Sequence, residues 1–127
     1  MLKTATIKIS TFILRRYHFS RALFHKLVSK FNLGALYRAT GSAAQKRISH
    51  VLRQYFGIPL LKPNHMKGEI ERLERELRAL STHVAPTIAE RLNRFHIYVV
   101  NYWMNFMGPV NISVAGALHK TNNVIER

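Results

Sequence analysis

The sequence lacks two residue types altogether, aspartate and cysteine. Without cysteine, the chain has no disulfide, no zinc site built on thiolates and no thiol nucleophile. Without aspartate, it has no Ser-His-Asp triad, no Asp-rich metal cage and no EF-hand loop of its own. The acidic residues are Glu69, Glu71, Glu74, Glu76, Glu90 and Glu126.

Negative charge is absent from the whole first half of the chain. Residues 1–68 carry thirteen lysines and arginines and no acid, whereas residues 69–127 carry seven such cations and six glutamates. The first half therefore holds about +13 of the formal net charge of +14. A basic, acid-free half favours a polyanionic partner such as DNA, RNA or an anionic membrane surface. The alternative is a solubilising face, which self-repulsion makes less favourable.

Apolar residues recur at steps of three and four, which is the spacing of amphipathic helices. We expect an all-α fold, a small irregular bundle of about four helices with a loop-like C-terminal tail from Val110. Ser42 is a good N-cap and Pro86 a good first helical residue. The predicted helices cover residues 17–31, 42–56, 65–80 and 87–107, and a basic N-terminal segment, residues 1–16, precedes a helical region, residues 17–127.

The helical periodicity also predicts which side chains face the core and which are exposed. In the second helix, the basic residues are expected to point away from an apolar stripe. In the third, the pairs Glu71–Arg75 and Glu74–Arg78 have the favourable i,i+4 order. In the fourth, one wide stripe contains Ile88, Leu92, Phe95, Val99, Tyr102, Trp103 and Phe106.

Nothing in the sequence has the spacing of a complete catalytic or cofactor site. The seven histidines include no HExxH pair or Cys/His finger, and there is no phosphate-binding glycine loop. We therefore expect no metal site, no cofactor and no small-molecule substrate.

Two segments leave other interpretations open. Residues 1–16 alternate apolar and basic residues without an acid, which is compatible with a mitochondrial presequence. The uncharged stretch Phe95–Leu118 is long enough to span a bilayer, but it contains asparagines, a histidine and the break Gly108-Pro109. A small mitochondrial RNA- or ribosome-associated protein is thus the first alternative, and a membrane-anchored protein is the less favoured second.

Several motifs in order resemble those of Mutator-like (MULE) transposases. Residues 17–27, YHFSRALFHKL, resemble the family's C-x-F-H-F-x-Q-A-L-x-R-K-V segment. Residues 33–37 and the proline-containing stretch 58–63 continue the match, and residues 98–103 resemble its Tyr-x-x-x-x-Trp helix. Residues 119–126, HKTNNVIE, resemble the HRTNNxxES signature, which is the most specific of these motifs.

The resemblance implies a specific place in a larger enzyme. In that family, an RNase H-like core uses three acidic residues and two divalent ions for DNA transposition, and a helical insertion separates the second and third acids. This chain is similar to that insertion, with Glu126 matching the third, catalytic carboxylate. His18 matches the family's Cys-x-x-His histidine, although Arg16 stands near the expected cysteine. The matched signature residues are Thr121, Asn122 and Asn123.

The sequence departs from the family at the acidic triad. The family's two aspartates lie upstream of the insertion, and this chain has none. Because one glutamate cannot hold a pair of metal ions about 4 Å apart, we expect no catalysis by this chain alone. The resemblance thus implies an inactive, truncated or decayed transposase copy located in the nucleus. A full-length relative would use divalent metal ions.

The basic first half then supplies the expected interaction. We expect non-specific contacts with DNA or RNA phosphates, which give affinity without sequence readout. A membrane partner is less expected, and the sequence leaves the oligomeric state open. The cations predicted to make the contacts are Arg15, Arg16, Arg21, Lys26, Lys30, Lys46, Arg47 and Arg53.

Overall fold

The computed structural model describes residues 15–115, and every regular element in that range is helical. Helix α1 covers residues 15–25 and continues as a π-helical turn, Lys26–Lys30. The later elements are α2 (Gly34–Tyr37), α3 (Ala43–Tyr55), a 3-10 turn (Ile58–Leu60), α4 (Pro63–Leu80), a second 3-10 turn (Ser81–His83), α5 (Pro86–Tyr98), a π-helical segment (Val99–Met107) and α6 (Pro109–Ile112). The prediction of an all-α bundle with four main helices is confirmed.

The predicted helix boundaries have local physical causes. Ser42 caps α3 in a capping box, in which its hydroxyl accepts from the Gln45 amide and the Gln45 side chain accepts from the Ser42 amide. Pro86 is the first residue of α5, where its missing N–H costs no hydrogen bond. Asn32 ends the first helical stretch with a left-handed φ of 52°.

The core lies where α1, α3, α4 and α5 converge. Helix α3 packs against α4, and α4 packs against α5. The largest completely buried side chains are Tyr55, Phe19, Phe95, Leu23, Leu27, Leu33, Ile48, Leu52, Ile58, Met66, Leu73 and Leu92. Helices α1, α3, α4 and α5 therefore each bury an apolar stripe, as the spacing of their residues predicts.

One part of the predicted core is wrong. Tyr102 and Phe106 are 42% and 75% exposed, although the periodicity of an α-helix placed both on the apolar stripe. From Val99 onward the helix is wound as a π-helix, with hydrogen bonds from i to i+5, which changes the residues that share a face. Val99 and Trp103 remain buried, whereas Tyr102 and Phe106 turn toward solvent.

The ion pairs of α4 also differ from the prediction. Glu74 pairs with Arg78 as expected. Among the described residues, however, Glu71 and Arg75 form no ion pair within 4 Å. Arg72 instead joins Glu69 and Glu76, at i−3 and i+4 on its own helix, and donates to Gln54 of α3.

The predicted C-terminal loop begins with ordered structure. Pro109–Ile112 form a single helical turn, α6. The next two residues are fixed to the turn before α4, because the Ser113 hydroxyl donates to the Leu61 carbonyl at 2.7 Å. The Val114 amide likewise donates to the Pro59 carbonyl at 2.8 Å. No helix within residues 15–115 is both long and apolar enough to span a bilayer.

Several sequence predictions fall outside the described range. They concern residues 1–14 of the basic N-terminal segment and the signature residues Thr121, Asn122, Asn123 and Glu126.

Candidate nucleic-acid interface

The eight cations predicted to contact phosphates lie on two elements. Five lie on α1 and its π-helical turn, and three lie on α3. All are exposed except Lys26, which is half-buried. The α1 set is Arg15, Arg16, Arg21, Lys26 and Lys30, and the α3 set is Lys46, Arg47 and Arg53.

The cations of α3 line its outer face. Lys46 and Arg47 form one wall of an open groove of about 450 Å³, together with His50. The opposite wall belongs to α4 and includes Glu76 and Leu80. Glu76 pairs with Arg72 of its own helix at 2.7 Å, and Arg72 also pairs with Glu69.

Tyr37 links the two sets of cations. The guanidinium of Arg53 lies 4.3 Å from the centre of the Tyr37 ring and donates to the Tyr37 carbonyl at 3.1 Å. The same ring also contacts Phe24 of α1 and Phe56, at 5.7 and 5.6 Å between centroids. Arg53 is thus held next to α1, whereas Lys26 lies 5.7 Å from the ring of Tyr98 on α5. The predicted cations spread over a surface and do not converge on one pocket.

Ion pairing divides the described chain sharply at residue 69. Residues 16–68 contain ten lysines and arginines, and none of them has an ion-pair partner within 4 Å in the described range. Residues 69–115 contain five arginines and five glutamates. Their Arg–Glu pairs all lie within single helices, on α4 and α5. The positive charge of residues 16–68 is therefore left unbalanced by ion pairing within the described range.

Within the described residues, the histidine carried over from the transposase motif belongs to no metal cluster. His18 is exposed on α1, and its ring contacts Tyr17 at 5.9 Å between centroids. Arg16, near the expected cysteine, is also exposed. Within residues 15–115, no three side chains of His, Cys, Asp or Glu come together in a way that could hold a metal ion.

A second polar site, which the sequence did not predict, lies in the core. The Tyr55 hydroxyl of α3 is 2.8 Å from Nδ1 of His96 on α5. On the other side of the ring, Nε2 of His96 is 3.0 Å from Oε2 of Glu74 on α4. Since Glu74 also pairs with Arg78, four side chains form one chain of contacts across three helices.

The pKa shifts in this network follow from burial. Removal from water lowers the pKa of His96, and the attraction of the Glu74 carboxylate opposes that effect only in part. Burial also raises the pKa of Tyr55 far above its usual value, and the negative charge of Glu74 adds to that rise. A neutral imidazole that donates from Nε2 to Glu74 must accept at Nδ1, so the Tyr55 hydroxyl donates to it.

A carboxylate, an imidazole and a hydroxyl follow one another in the same order in a catalytic triad. In this protein the arrangement has a structural role. The hydroxyl belongs to a tyrosine with no solvent exposure and a raised pKa, so it is a poor nucleophile that no substrate reaches. Cavities of about 240 and 420 Å³ flank Glu74 and His96 on two sides. Neither cavity exposes the Tyr55 hydroxyl, and the network acts by joining three helices.

Of the residues in this network, only His96 had a signal in the sequence. Tyr55 belongs to the predicted apolar stripe of α3, and Glu74 belongs to a predicted surface ion pair. His96 is a polar residue beside the core position Phe95, which is the one available signal. The partnership depends on how α3, α4 and α5 cross, and no local spacing encodes that.

Comparisons with known proteins add no relative. No protein-family model, no curated protein and no solved structure matches this chain. The resemblance to Mutator-like transposases therefore depends on the quoted motifs alone.

Proposed function

We propose that this protein binds the phosphate backbone of nucleic acids, without sequence preference, through the basic surface of its first half. The observation that carries the proposal is the set of ten cations between residues 16 and 68 that have no ion-pair partner within the described range. Unbalanced like charges destabilise a folded domain, and a polyanion relieves that repulsion by binding.

The distribution of these cations supports contact with phosphates and not with bases. They lie on α1 and its π-helical turn, on α3, on the start of α4 and in the segments between these helices, and most are exposed. Arg53 is fixed against Tyr37, but its neighbours on α3, Lys46 and Arg47, form no side-chain hydrogen bond within the described residues. Lysines and arginines spread in this way match a phosphate backbone, whereas base reading needs a compact group of side chains aimed into a groove.

The transposase resemblance makes the proposal more specific about origin. We propose a helical remnant of a Mutator-like transposase that keeps affinity for nucleic acid without cutting it, and that is located in the nucleus. The alternative, a mitochondrial RNA- or ribosome-associated protein, differs in one measurable respect. Import into isolated mitochondria with loss of N-terminal residues would favour that alternative.

The test is the salt dependence of binding. We would titrate the full chain against labelled 20-residue oligonucleotides of unrelated sequence, single-stranded and duplex, and follow fluorescence anisotropy between 50 and 200 mM salt. If about five phosphates are neutralised, the slope of log K against log salt on duplex DNA is about −4.5. Affinities for the different sequences should agree within a few-fold.

Two charge-reversal variants separate a local surface from overall net charge. Lys46→Glu, Arg47→Glu and Arg53→Glu together should weaken binding to every sequence and flatten the salt slope. The matched control reverses Arg75, Arg91 and Arg94, so the net charge falls equally but the first half is intact. Salt-independent affinity, or equal effects of the two variants, would show that the basic half is solvated surface. Circular dichroism verifies that both variants are folded.

A further inference from the structure

Three aromatic rings form a ladder along the outer side of α5 and the π-helical segment. Tyr98 and Tyr102 stack with ring centroids 5.9 Å apart and planes inclined by 10°. Tyr102 and Phe106 continue the stack at 5.6 Å and 30°. Residues four apart are neighbours on a helix surface, so the rings follow one another along the axis. We call Tyr98, Tyr102 and Phe106 the aromatic ladder.

The ladder is exposed to solvent at Tyr102 and Phe106. Tyr102 is 42% exposed and Phe106 is 75% exposed. Trp103, next to Tyr102, is buried against Phe19 of α1 at 4.7 Å between centroids. The π-helical winding thus fixes one face of this segment in the core and turns a row of rings outward. A contiguous exposed apolar surface of this kind marks an interaction site.

Positive charge from the first half reaches the ladder. Lys26 lies 5.7 Å from the centre of the Tyr98 ring. Lys30 lies over Phe31, whose ring is 5.8 Å from that of Tyr98. No acidic residue occurs between positions 91 and 125, so the ladder itself carries no opposing charge.

The direction of α1 extends this charge along the ladder. Phe19 contacts Trp103, and Lys26 contacts Tyr98, so α1 runs antiparallel to the segment that carries the rings. The turn that holds Arg16 therefore lies toward the Phe106 end. Helix α1 and its basic residues therefore run beside the segment that carries the rings, and Lys26 and Lys30 lie at the Tyr98 end of the ladder.

We propose that the aromatic ladder is a stacking platform for single-stranded nucleic acid. The proposal rests on the proposed function and specifies its substrate class. Single strands expose base faces, which stack on aromatic rings without regard to sequence, while basic residues track their phosphates. A duplex hides its base faces, so it gains from the cations and not from the rings.

A second copy of this chain or a lipid surface would also cover apolar side chains. A second copy is less suited to this surface, because the ladder is bordered by the cations Lys26 and Lys30. An anionic lipid surface would match this charge, but it presents no flat groups that stack on rings. Two copies would bring those cations together. Tyr102 stacks between Tyr98 and Phe106, so the open end of the ladder is Phe106, whose side chain is 75% exposed. Charge complementarity thus favours an anionic partner with flat groups.

The test compares ladder variants on single-stranded and duplex oligonucleotides of the same length. Tyr102→Ala and Phe106→Ala should each weaken binding of oligo-dT by about tenfold. Binding of duplex should change less than twofold. The slope against salt should stay constant, because no phosphate contact is removed. The matched controls are Ile97→Ala and Val110→Ala, which remove exposed apolar side chains outside the ladder.

Trp103 provides a second signal for the same event. It is the single tryptophan of the chain, and its ring lies 4.9 Å from that of Tyr102. Binding of oligo-dT in the wild type should quench its emission. In Phe106→Ala, the quenching should need about tenfold more oligonucleotide.

The outcomes separate this inference from the proposed function. If the ladder variants bind oligo-dT like the wild type while the α3 charge reversals weaken both forms, the ladder inference is wrong and backbone binding stands. If the wild type binds neither form, both fail. If the ladder variants alter only sedimentation or binding to vesicles with anionic lipids, another occupant covers the rings and the inference is overturned.

Discussion

The hydroxyl of Tyr55 lies 2.8 Å from Nδ1 of His96, although 41 positions separate the two residues in the chain. Both are buried, and Glu74 completes the contact on the far side of the imidazole. A buried polar group is costly unless it is hydrogen-bonded, so this arrangement specifies how α3, α4 and α5 cross. Purely apolar packing would not fix the crossing of these three helices in the same way.

Removal of the Tyr55 hydroxyl should destabilise the fold. In Tyr55→Phe, Nδ1 of His96 loses its donor while it remains buried, which should lower the free energy of unfolding by about 1–3 kcal/mol. Urea denaturation followed by circular dichroism measures this. The control is Tyr102→Phe, whose hydroxyl is exposed and has no hydrogen bond within the described residues. Equal stabilities of the two variants would contradict a structural role for the network.

Stability should also depend on pH through His96. Burial lowers the pKa of this histidine in the folded state, so the unfolded chain binds a proton more readily. The contribution of the neutral ring is complete above about pH 6.5 and is lost as the pH falls through the folded-state pKa. Across that window, the wild type should lose up to about 1.4 kcal/mol per pH unit more than His96→Gln.

The groups that face His96 define how this pH experiment is interpreted. They are Tyr55, Glu74 and the guanidinium of Arg78, which lowers the histidine pKa further. Urea midpoints at pH 7.5 and 5.5 are compared for wild type, His96→Gln and the exposed control His65→Gln. Should acidification stabilise the wild type relative to His96→Gln, the ion pair with Glu74 would outweigh burial, contrary to the prediction.

The sequence predicted those features that depend on local spacing. The buried and exposed faces of α3 follow from periodicity alone, and Lys46, Arg47 and Arg53 are exposed as expected. The capping box at Ser42 and the start of α5 at Pro86 are likewise local effects. Each depends on residues within one turn of one another, so no tertiary information was needed.

Features that depend on winding or on contacts between helices could not be predicted. The stripe that included Tyr102 and Phe106 assumed α-helical periodicity, and the π-helical winding after Tyr98 invalidated it. Arg72 pairs with Glu69 and Glu76 of its own helix and also donates to Gln54, which it reaches because α3 packs beside α4. The network at His96 depends on contacts between helices and the aromatic ladder depends on the π-helical winding, so neither could be predicted from the sequence.

The isolated chain should not cut or join DNA with Mg²⁺ or Mn²⁺. Two-metal catalysis needs several carboxylates around an ion pair, and the sequence has no aspartate to supply them. A labelled duplex incubated with the full chain and either metal should remain intact on a denaturing gel. Metal-dependent cleavage that disappears in Glu126→Gln would overturn this prediction and require a site shared between copies.

Two glycines should respond to alanine in opposite ways. Gly108 separates the ladder segment from α6 with φ at 87° and ψ at 145°, which a residue with a Cβ rarely adopts. Gly108→Ala should therefore lower the free energy of unfolding by about 1–3 kcal/mol.

Gly68 lies exposed within α4, and a Cβ there meets nothing within 4 Å. Gly68→Ala should raise stability by about 0.4–1 kcal/mol, because alanine restricts the unfolded chain. Thermal unfolding measures both. An unchanged Gly108→Ala would contradict the left-handed backbone that ends the ladder segment, and a destabilised Gly68→Ala would contradict the open space beside Gly68.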